Sequence, residues 1–395
     1  MDQIFSDRIS DVPRSFIREI LKVALDPAVI SFAGGLPNRD LFPVEPLKAA
    51  TAKVFDTRGR DVLQYGTSEG FPPLREYIAE RYREKQNLDI PVENILITSG
   101  SQQGLDLLGK IILNKGDGLV IEVPGYLGAI QAFSIYQPRF LPVPVSETGM
   151  DPARLKAALA GNSAKLMYTV PNFQNPSGIT YPADNRQAVA ELVQSTNTLL
   201  IEDDPYGDLR FSGQREPSFK ELLPEQTVLL GSFSKSIVPG FRLGWLVAPE
   251  HILQKLVIAK QATDLHTSHF TQSIIRQYLQ DNDSDRHLET IISVYGSQCR
   301  AMRDSIKSYF PPGISYTRPQ GGMFLWVRLP GNLSSLDLFE TAVADKVIFV
   351  PGDPFYINKT HTPTLRLNFS CVDEPTIHTG IQRLADAINR HLEKI

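Results

Sequence analysis

Leu229-Leu230-Gly231-Ser232-Phe233-Ser234-Lys235-Ser236-Ile237-Val238-Pro239-Gly240-Phe241-Arg242-Leu243-Gly244-Trp245 sets one lysine directly after small hydroxyl residues at the end of an apolar run, with an arginine one loop further on. A lysine in such a partly enclosed place has its amine pulled below the ordinary value of about 10.4 by desolvation and nearby positive charge, which suits it to Schiff-base chemistry. Ser232, Ser234 and Arg242 form half of a phosphate cradle. The guanidinium fork donates two parallel charge-assisted hydrogen bonds, and hydroxyls serve the oxygens that the fork leaves free. A phosphate beside such a lysine points to pyridoxal 5'-phosphate. Standing alone, the stretch reads sooner as a surface lysine in a Ser/Gly loop, so the choice rests on the rest of the chain.

Working outward, 395 residues of which 42% are hydrophobic and 21% charged suffice for a large core, arranged as one large domain with a smaller partner. The formal charge is −4 and the basic residues are scattered, which excludes nucleic acid and anionic membrane as main partners. Cys299 and Cys371 lack metal-ligand spacing and read as inert thiols. Met1-Asp2-Gln3 opens no secretory signal, and no apolar run approaches the roughly 20 residues that span a bilayer, so a cytoplasmic protein is expected.

Upstream of the lysine, strand and helix alternate. Strands are expected at 95–98, 119–122, 166–170, 199–203, 228–231 and 245–248, a pattern that favours a mainly parallel sheet with its ligand at the carboxyl ends of the strands. The first runs into Ser99-Gly100-Ser101-Gln102-Gln103-Gly104 and a helix, whose free N–H groups and positive end suit an anion and complete the cradle. Asp203, at another strand end, can hold the pyridine nitrogen of the cofactor protonated, although Glu202 and Asp204 flank it. Tyr206 and Asn175 can contact the ring oxygen. Tyr126 can stack on the ring or simply be a core tyrosine.

Residues 14–25 have the spacing of a short amphipathic helix, and Gly34-Gly35 lets backbone approach a ligand or another part of the chain. Beyond Trp245, helices are expected over 251–280 and 285–309, then short strands at 322–329, 347–350 and 364–368 with helices at 336–344 and 374–394. That is a smaller α+β domain. His266 and His269 have no matching metal partners and read as solvated or packing residues. Arg366 is a charge inside an apolar strand; it needs an internal carboxylate or a substrate α-carboxylate as partner.

Taken together, Ser232–Gly244, Pro171–Gly178, Asp203–Tyr206, Ser99–Gly104, Pro319-Gln320-Gly321-Gly322-Met323-Phe324 and Leu365–Ser370 resemble the class I/II, fold type I pyridoxal-phosphate aminotransferases, and the resemblance runs from about residue 15 to 370. It implies an α/β large domain, 46–284, with a mainly parallel seven-stranded sheet flanked by helices. A smaller α+β domain, 285–395, follows, and residues 1–45 cover the substrate. It implies that Lys235 bonds the cofactor, Asp203 pairs with the ring nitrogen, Tyr206 and Asn175 contact the ring oxygen and Tyr126 stacks. Ser101, Gln102, Ser232, Ser234 and Arg242 hold the phosphate; Arg366 holds the substrate carboxylate, with Asn175 and Gly35 beside it. The tyrosine matching Tyr65 reaches the phosphate of the neighbouring subunit, which implies a homodimer with shared active sites. The implied reaction is ping-pong transfer of an amino group from an amino acid to a 2-oxo acid such as 2-oxoglutarate. A lyase or decarboxylase on the same fold shares these residues, and a ligand-sensing regulator would need a DNA-binding domain ahead of residue 15.

The run Ser15-Phe16-Ile17-Arg18-Glu19 and Ser31–Pro37 is similar to the 2-aminoadipate and kynurenine aminotransferase subgroup, although Thr67-Ser68 departs from the serine and proline usual there. In that subgroup this segment, Ser15 and Arg18 included, covers the substrate, and its arginine meets a distal carboxylate or swings away from an apolar chain. Arg18→Ala is then expected to lower kcat/KM for dicarboxylic donors by about one to two orders of magnitude and to leave leucine or phenylalanine nearly unaffected. Equal losses for both donor classes would remove Arg18 from side-chain recognition.

Overall fold

A computed structural model describes residues 4–10, 20, 26–331, 333–357 and 361–393. The expected helix over 14–25, with Ser15 and Arg18, lies outside them except for Ile20. In chain order the strands are β1 (Ile30–Ser31), β2 (Ile95–Thr98), β3 (Gly118–Val123), β4 (Arg139–Ser146), β5 (Gly149–Met150), β6 (Ala164–Thr169) and β7 (Leu199–Asp203). After them come β8 (Thr227–Ser232), β9 (Gly244–Val247), β10 (Ser315–Tyr316), β11 (Phe324–Arg328), β12 (Val347–Ile348), β13 (Val350–Pro351) and β14 (Thr364–Asn368).

The large sheet has the order β2-β9-β8-β7-β6-β3-β4-β5. Its centre is parallel, and β2, β3, β8 and β9 are buried along nearly their whole length, because both faces are covered there and alternation has no solvent side to mark. The sheet has eight strands rather than seven. The additional one, β5, is a two-residue antiparallel return from β4. β4 itself is absent from the strands expected above, since Pro142 and Pro144 argue against a central strand. They are tolerated because β4 bonds along its length to β3 alone, with β5 meeting only Val145 and Ser146 on the other side.

β9 runs antiparallel between β2 and β8, so its first residue stands beside their last ones: Thr98 pairs with Gly244, and Gly244 with Ser232. This insertion brings the turn after Thr98 beside the loop that follows Ser232.

The helix expected over 251–280 is two, Glu250–Gln261 and His269–Asp281. Between them Leu265 adopts a left-handed φ of 66°. The chain folds back around Lys260, whose buried ammonium donates to Asp264 Oδ1 (3.0 Å), Gln103 Oε1 (2.8 Å) and Thr267 Oγ1 (3.0 Å). A buried charge requires such partners, and helical periodicity does not reveal them. The smaller antiparallel sheet, β10-β11-β14-β13, shares an apolar core with the helices Ser284–Tyr309 and Glu374–Leu392, and β1 pairs in parallel with β12.

Candidate active site

At the joined strand ends Gly100 has φ 81°, and a Cβ there would stand 2.6 Å from Arg242 Nη2. Glycine alone lets the guanidinium pack this closely on the turn. No side chain caps the helix Ser101–Ile112, and although Gln103 N donates to the Gly100 carbonyl (3.1 Å), the N–H groups of Ser101 and Gln102 at its positive end suit an anion. Around them Ser101 Oγ donates to the Gly231 carbonyl (3.3 Å) and Ser232 Oγ to the Leu243 carbonyl (3.3 Å). Ser234 N donates to Ser232 Oγ (3.1 Å), and Gln102 Nε2 to the Gly128 carbonyl (2.9 Å). Hydroxyls, amide N–H groups and one guanidinium form a donor set suited to a phosphate.

Of the three acids at the end of β7, Asp203 faces the cavity. Glu202 accepts from the Ser218 hydroxyl and from Lys220 N, and Asp204 accepts from Asn172 Nδ2 (3.0 Å). Asp203 Oδ2 accepts from the Tyr168 hydroxyl (2.7 Å), while its Oδ1 is buried with no partner. Burial pushes this carboxyl up to about 7, against the Tyr168 hydrogen bond and aided by the nearby Asp204 and Glu122 charges. A buried carboxylate oxygen without a donor fits a protonated pyridine nitrogen. In the cofactor-free protein Asp203 therefore favours the folded state most below its unfolded value of about 3.9, and that contribution is lost as pH rises through about 7. Asp203→Asn is expected to flatten the decline in stability of the cofactor-free protein between pH 5 and 8, read by urea unfolding at each pH. An unchanged slope would refute the assignment.

Lys235 Nζ donates to the Gly35 carbonyl (2.9 Å), and burial lowers its amine to about 8, Arg366 and Arg242 acting in the same direction against an opposing influence of Cys371. Arg366, in the middle of β14, is buried. Its Nη1 donates to Asn175 Oδ1 (2.8 Å) and its Nη2 to the Ala33 carbonyl (2.7 Å), but Nε has no partner. The guanidinium lies 4.4 Å from the centre of the Phe324 ring and 5.3 Å from that of Phe355, and burial lowers it to about 10. Asn175 Nδ2 donates to the Tyr206 hydroxyl (3.4 Å), and Tyr206 stands edge-on to Phe324. Gly34-Gly35 packs against other parts of the chain at the edge of the cavity. Its carbonyls accept from Asn368 and Lys235, and Gly35 also lines the cavity.

One cavity of about 450 Å³ is lined by Lys235, Asp203, Tyr206, Ser101, Gln102, Tyr126, Asn175, Ser232, Ser234, Arg242, Arg366 and Gly35. Tyr65 is not among its lining residues; it is 77% exposed and edge-on to His266. His266 and His269 both pack, on Tyr65 and Phe71, and no cluster of metal-ligating residues occurs among the described residues. Cys371 donates to the Leu36 carbonyl and Cys299 is buried; both thiols are free and pushed up by burial. The sequence reading misses Leu36, Leu127, Gln131 and Phe355 on the cavity wall and Tyr168 behind Asp203. None carries a local signal, since an isolated apolar or aromatic residue reads as core and a lone glutamine on a helix, such as Gln131, reads as surface.

A family profile described as aminotransferase class I and II matches residues 29–384. The chain is similar, at 41% identity over 100% of its length and 96% of the relative's, to aromatic-amino-acid aminotransferase 1 of Thermococcus litoralis. Its fold is similar to that of LysN, an α-aminoadipate aminotransferase from Thermus thermophilus complexed with N-(5'-phosphopyridoxyl)-L-leucine. The TM-score is 0.93 at 39% identity, covering 100% of this chain and 99% of that one. It is also similar to Pyrococcus horikoshii kynurenine aminotransferase in complex with PMP, with a TM-score of 0.94 at 40% identity over 99% and 98% of the two chains.

Proposed function

This chain belongs to the class I and II aminotransferases, and on that premise we propose how its residues divide the work of pyridoxal 5'-phosphate-dependent transamination. One observation carries the reading. A single cavity contains an amine with its proton affinity lowered to about 8, a buried carboxylate oxygen without a donor and a buried guanidinium hydrogen-bonded to no carboxylate among the described residues. When bound, pyridoxal phosphate supplies the electron sink that makes the substrate's Cα–H acidic and carries the amino group between substrates.

Lys235 bonds the cofactor and, once freed, moves the proton at the substrate's Cα as general base and then acid. Asp203 Oδ1 holds the ring nitrogen in its protonated form. Tyr206 and Asn175 contact the ring oxygen and Tyr126 covers the ring face. Ser101, Gln102, Ser232, Ser234 and Arg242 hold the phosphate, whereas Arg366 takes the substrate's α-carboxylate through its unpartnered Nε–H and remaining Nη hydrogens. The domains divide at 1–45, 46–284 and 285–395, with the first segment over the substrate.

Donors are 2-aminoadipate and aromatic or apolar amino acids, and the acceptor is a 2-oxo acid such as 2-oxoglutarate. What supports this is the apolar wall of Leu36, Leu127 and Phe355 beside Gln131, together with similarity to the relatives above. The enzyme works as a cytoplasmic homodimer with Tyr65 reaching the partner's phosphate. In support, Tyr65 is exposed beside the exposed Leu63, and no described helix is long and apolar enough to cross a membrane. Sedimentation as a single species of 44.0 kDa would refute the dimer. Reaction type is tested with loaded enzyme and one amino acid in the absence of acceptor. Transfer leaves one equivalent of 2-oxo acid and an aminated cofactor with no free ammonia; repeated turnover that releases ammonia, or carbon dioxide and an amine, while the cofactor stays unaminated means a lyase or decarboxylase.

A further inference from the structure

We infer that Glu122, which is absent from the cavity wall, is the positioning residue that sets where Asn175 and Arg366 stand. Glu122 lies in β3, is 0% exposed, and gathers four donors on one carboxylate. Oε1 accepts from Thr169 Oγ1 (2.5 Å), Val170 N (2.8 Å) and the Tyr181 hydroxyl (2.6 Å), and Oε2 accepts from Gln174 Nε2 (2.8 Å). Gln174 passes this orientation on. Its Nε2 also donates to the Pro124 carbonyl (2.7 Å), and its Oε1 accepts from Ser177 N (2.9 Å) and the Ser177 hydroxyl (2.5 Å). The brace from Gln174 to Ser177 therefore spans Asn175, the residue whose two amide ends meet Arg366 and Tyr206. From the other side Thr317 Oγ1 donates to the Ser177 carbonyl (2.7 Å), which ties the brace to the smaller sheet through Trp326 N. One buried carboxylate thus fastens the turn after β3, which carries Tyr126, to the loop that carries Asn175.

The donor–acceptor balance makes Glu122→Gln a sharp test. If the new amide nitrogen takes the place of Oε1 it faces Val170 N–H, a donor that cannot reverse. If it takes the place of Oε2 it faces Gln174 Nε2, which can turn over only by abandoning the Pro124 carbonyl and Ser177 N–H. Either arrangement displaces the loop beneath Asn175, although size and packing are nearly unchanged.

This inference rests on the proposed assignment of Arg366 and Asn175 to the substrate carboxylate. The probes are the inert carboxylates 3-phenylpropanoate and glutarate, titrated into cofactor-loaded enzyme and followed by the change in cofactor absorbance. In Glu122→Gln their Kd is expected to rise about tenfold or more, the effect of a small misplacement of an oriented group. The pH midpoint of the bound cofactor's absorbance is expected to move with it. Cofactor affinity of the cofactor-free protein, held through the phosphate cradle, is expected to change by less than about threefold. A lowered melting temperature with carboxylate Kd and pH midpoint as in the wild type would overturn the proposal. If Glu122→Gln does not fold, Gln174→Leu cuts the same brace and is expected to raise the Kd likewise; a wild-type Kd there overturns it. Arg366→Leu separates the two ideas. Wild-type carboxylate binding in that variant means the carboxylate assignment is wrong, whereas loss there combined with wild-type binding in Glu122→Gln means that the positioning role alone is wrong.

Discussion

Lys235→Ala is expected to lower turnover by about four orders of magnitude or more and to abolish covalent attachment of the cofactor, because nucleophile and proton carrier are lost in one substitution. The surroundings of the wild-type amine suit both proposed tasks. It has the Gly35 carbonyl as hydrogen-bond partner, and burial brings its proton affinity down to about 8. Near that pH a substantial fraction is neutral, and the neutral amine alone can attack a carbonyl or accept a proton. The rate at which the cofactor-free protein attaches the cofactor should therefore rise with pH toward about 8. Borohydride reduction of the loaded protein provides the measurement: the peptide carrying Lys235 gains the mass of the reduced cofactor, and the alanine variant shows no covalent gain. An unmodified Lys235 peptide in the wild type would refute the assignment.

The second large effect is expected for Asp203→Asn, a fall in kcat/KM of about 10²–10³-fold, comparable to the loss of one preorganised electrostatic partner in an active site. The substitution keeps shape and reverses polarity. Tyr168 still has an oxygen to which it can donate, which leaves the new amide N–H groups where the unpartnered Oδ1 stood. A protonated ring nitrogen then meets a donor instead of an anion. Asp204→Asn is the control. Its carboxylate is engaged by Asn172 and lies outside the cavity wall, and a loss under about tenfold is expected. Equal losses in the two variants would mean that the acidic corner acts as a whole and that Asp203 has no distinct role.

Much of the site was legible because its chemistry is local. Ser232, Ser234, Lys235 and Arg242 lie within one loop, and Ser101 and Gln102 within one strand-to-helix turn, so residue type and spacing in the two stretches together suggest a phosphate cradle beside a reactive amine. The strands ending at Thr98, Asp203 and Ser232 were legible for a related reason: sheets covered on both faces leave unbroken apolar runs. β4 was not, because its prolines are harmless only in a strand bonded along one side, and that is a property of its neighbours.

By itself, then, the sequence determined most strands of the large sheet, the lysine, and the turns and acid that it offers to a cofactor's phosphate and ring nitrogen, all of them features carried by residues a few positions apart. Which of three adjacent acids faces the cavity, the joining of Gly100 to Arg242 across the inserted β9, the absence of a carboxylate bonded to Arg366 among the described residues, and the convergence of Thr169, Val170, Gln174 and Tyr181 on Glu122 were decided by the tertiary structure. The physical reason is that burial and the choice of hydrogen-bond partner depend on groups brought together from distant parts of the chain, and no periodicity within one element records where those groups will stand.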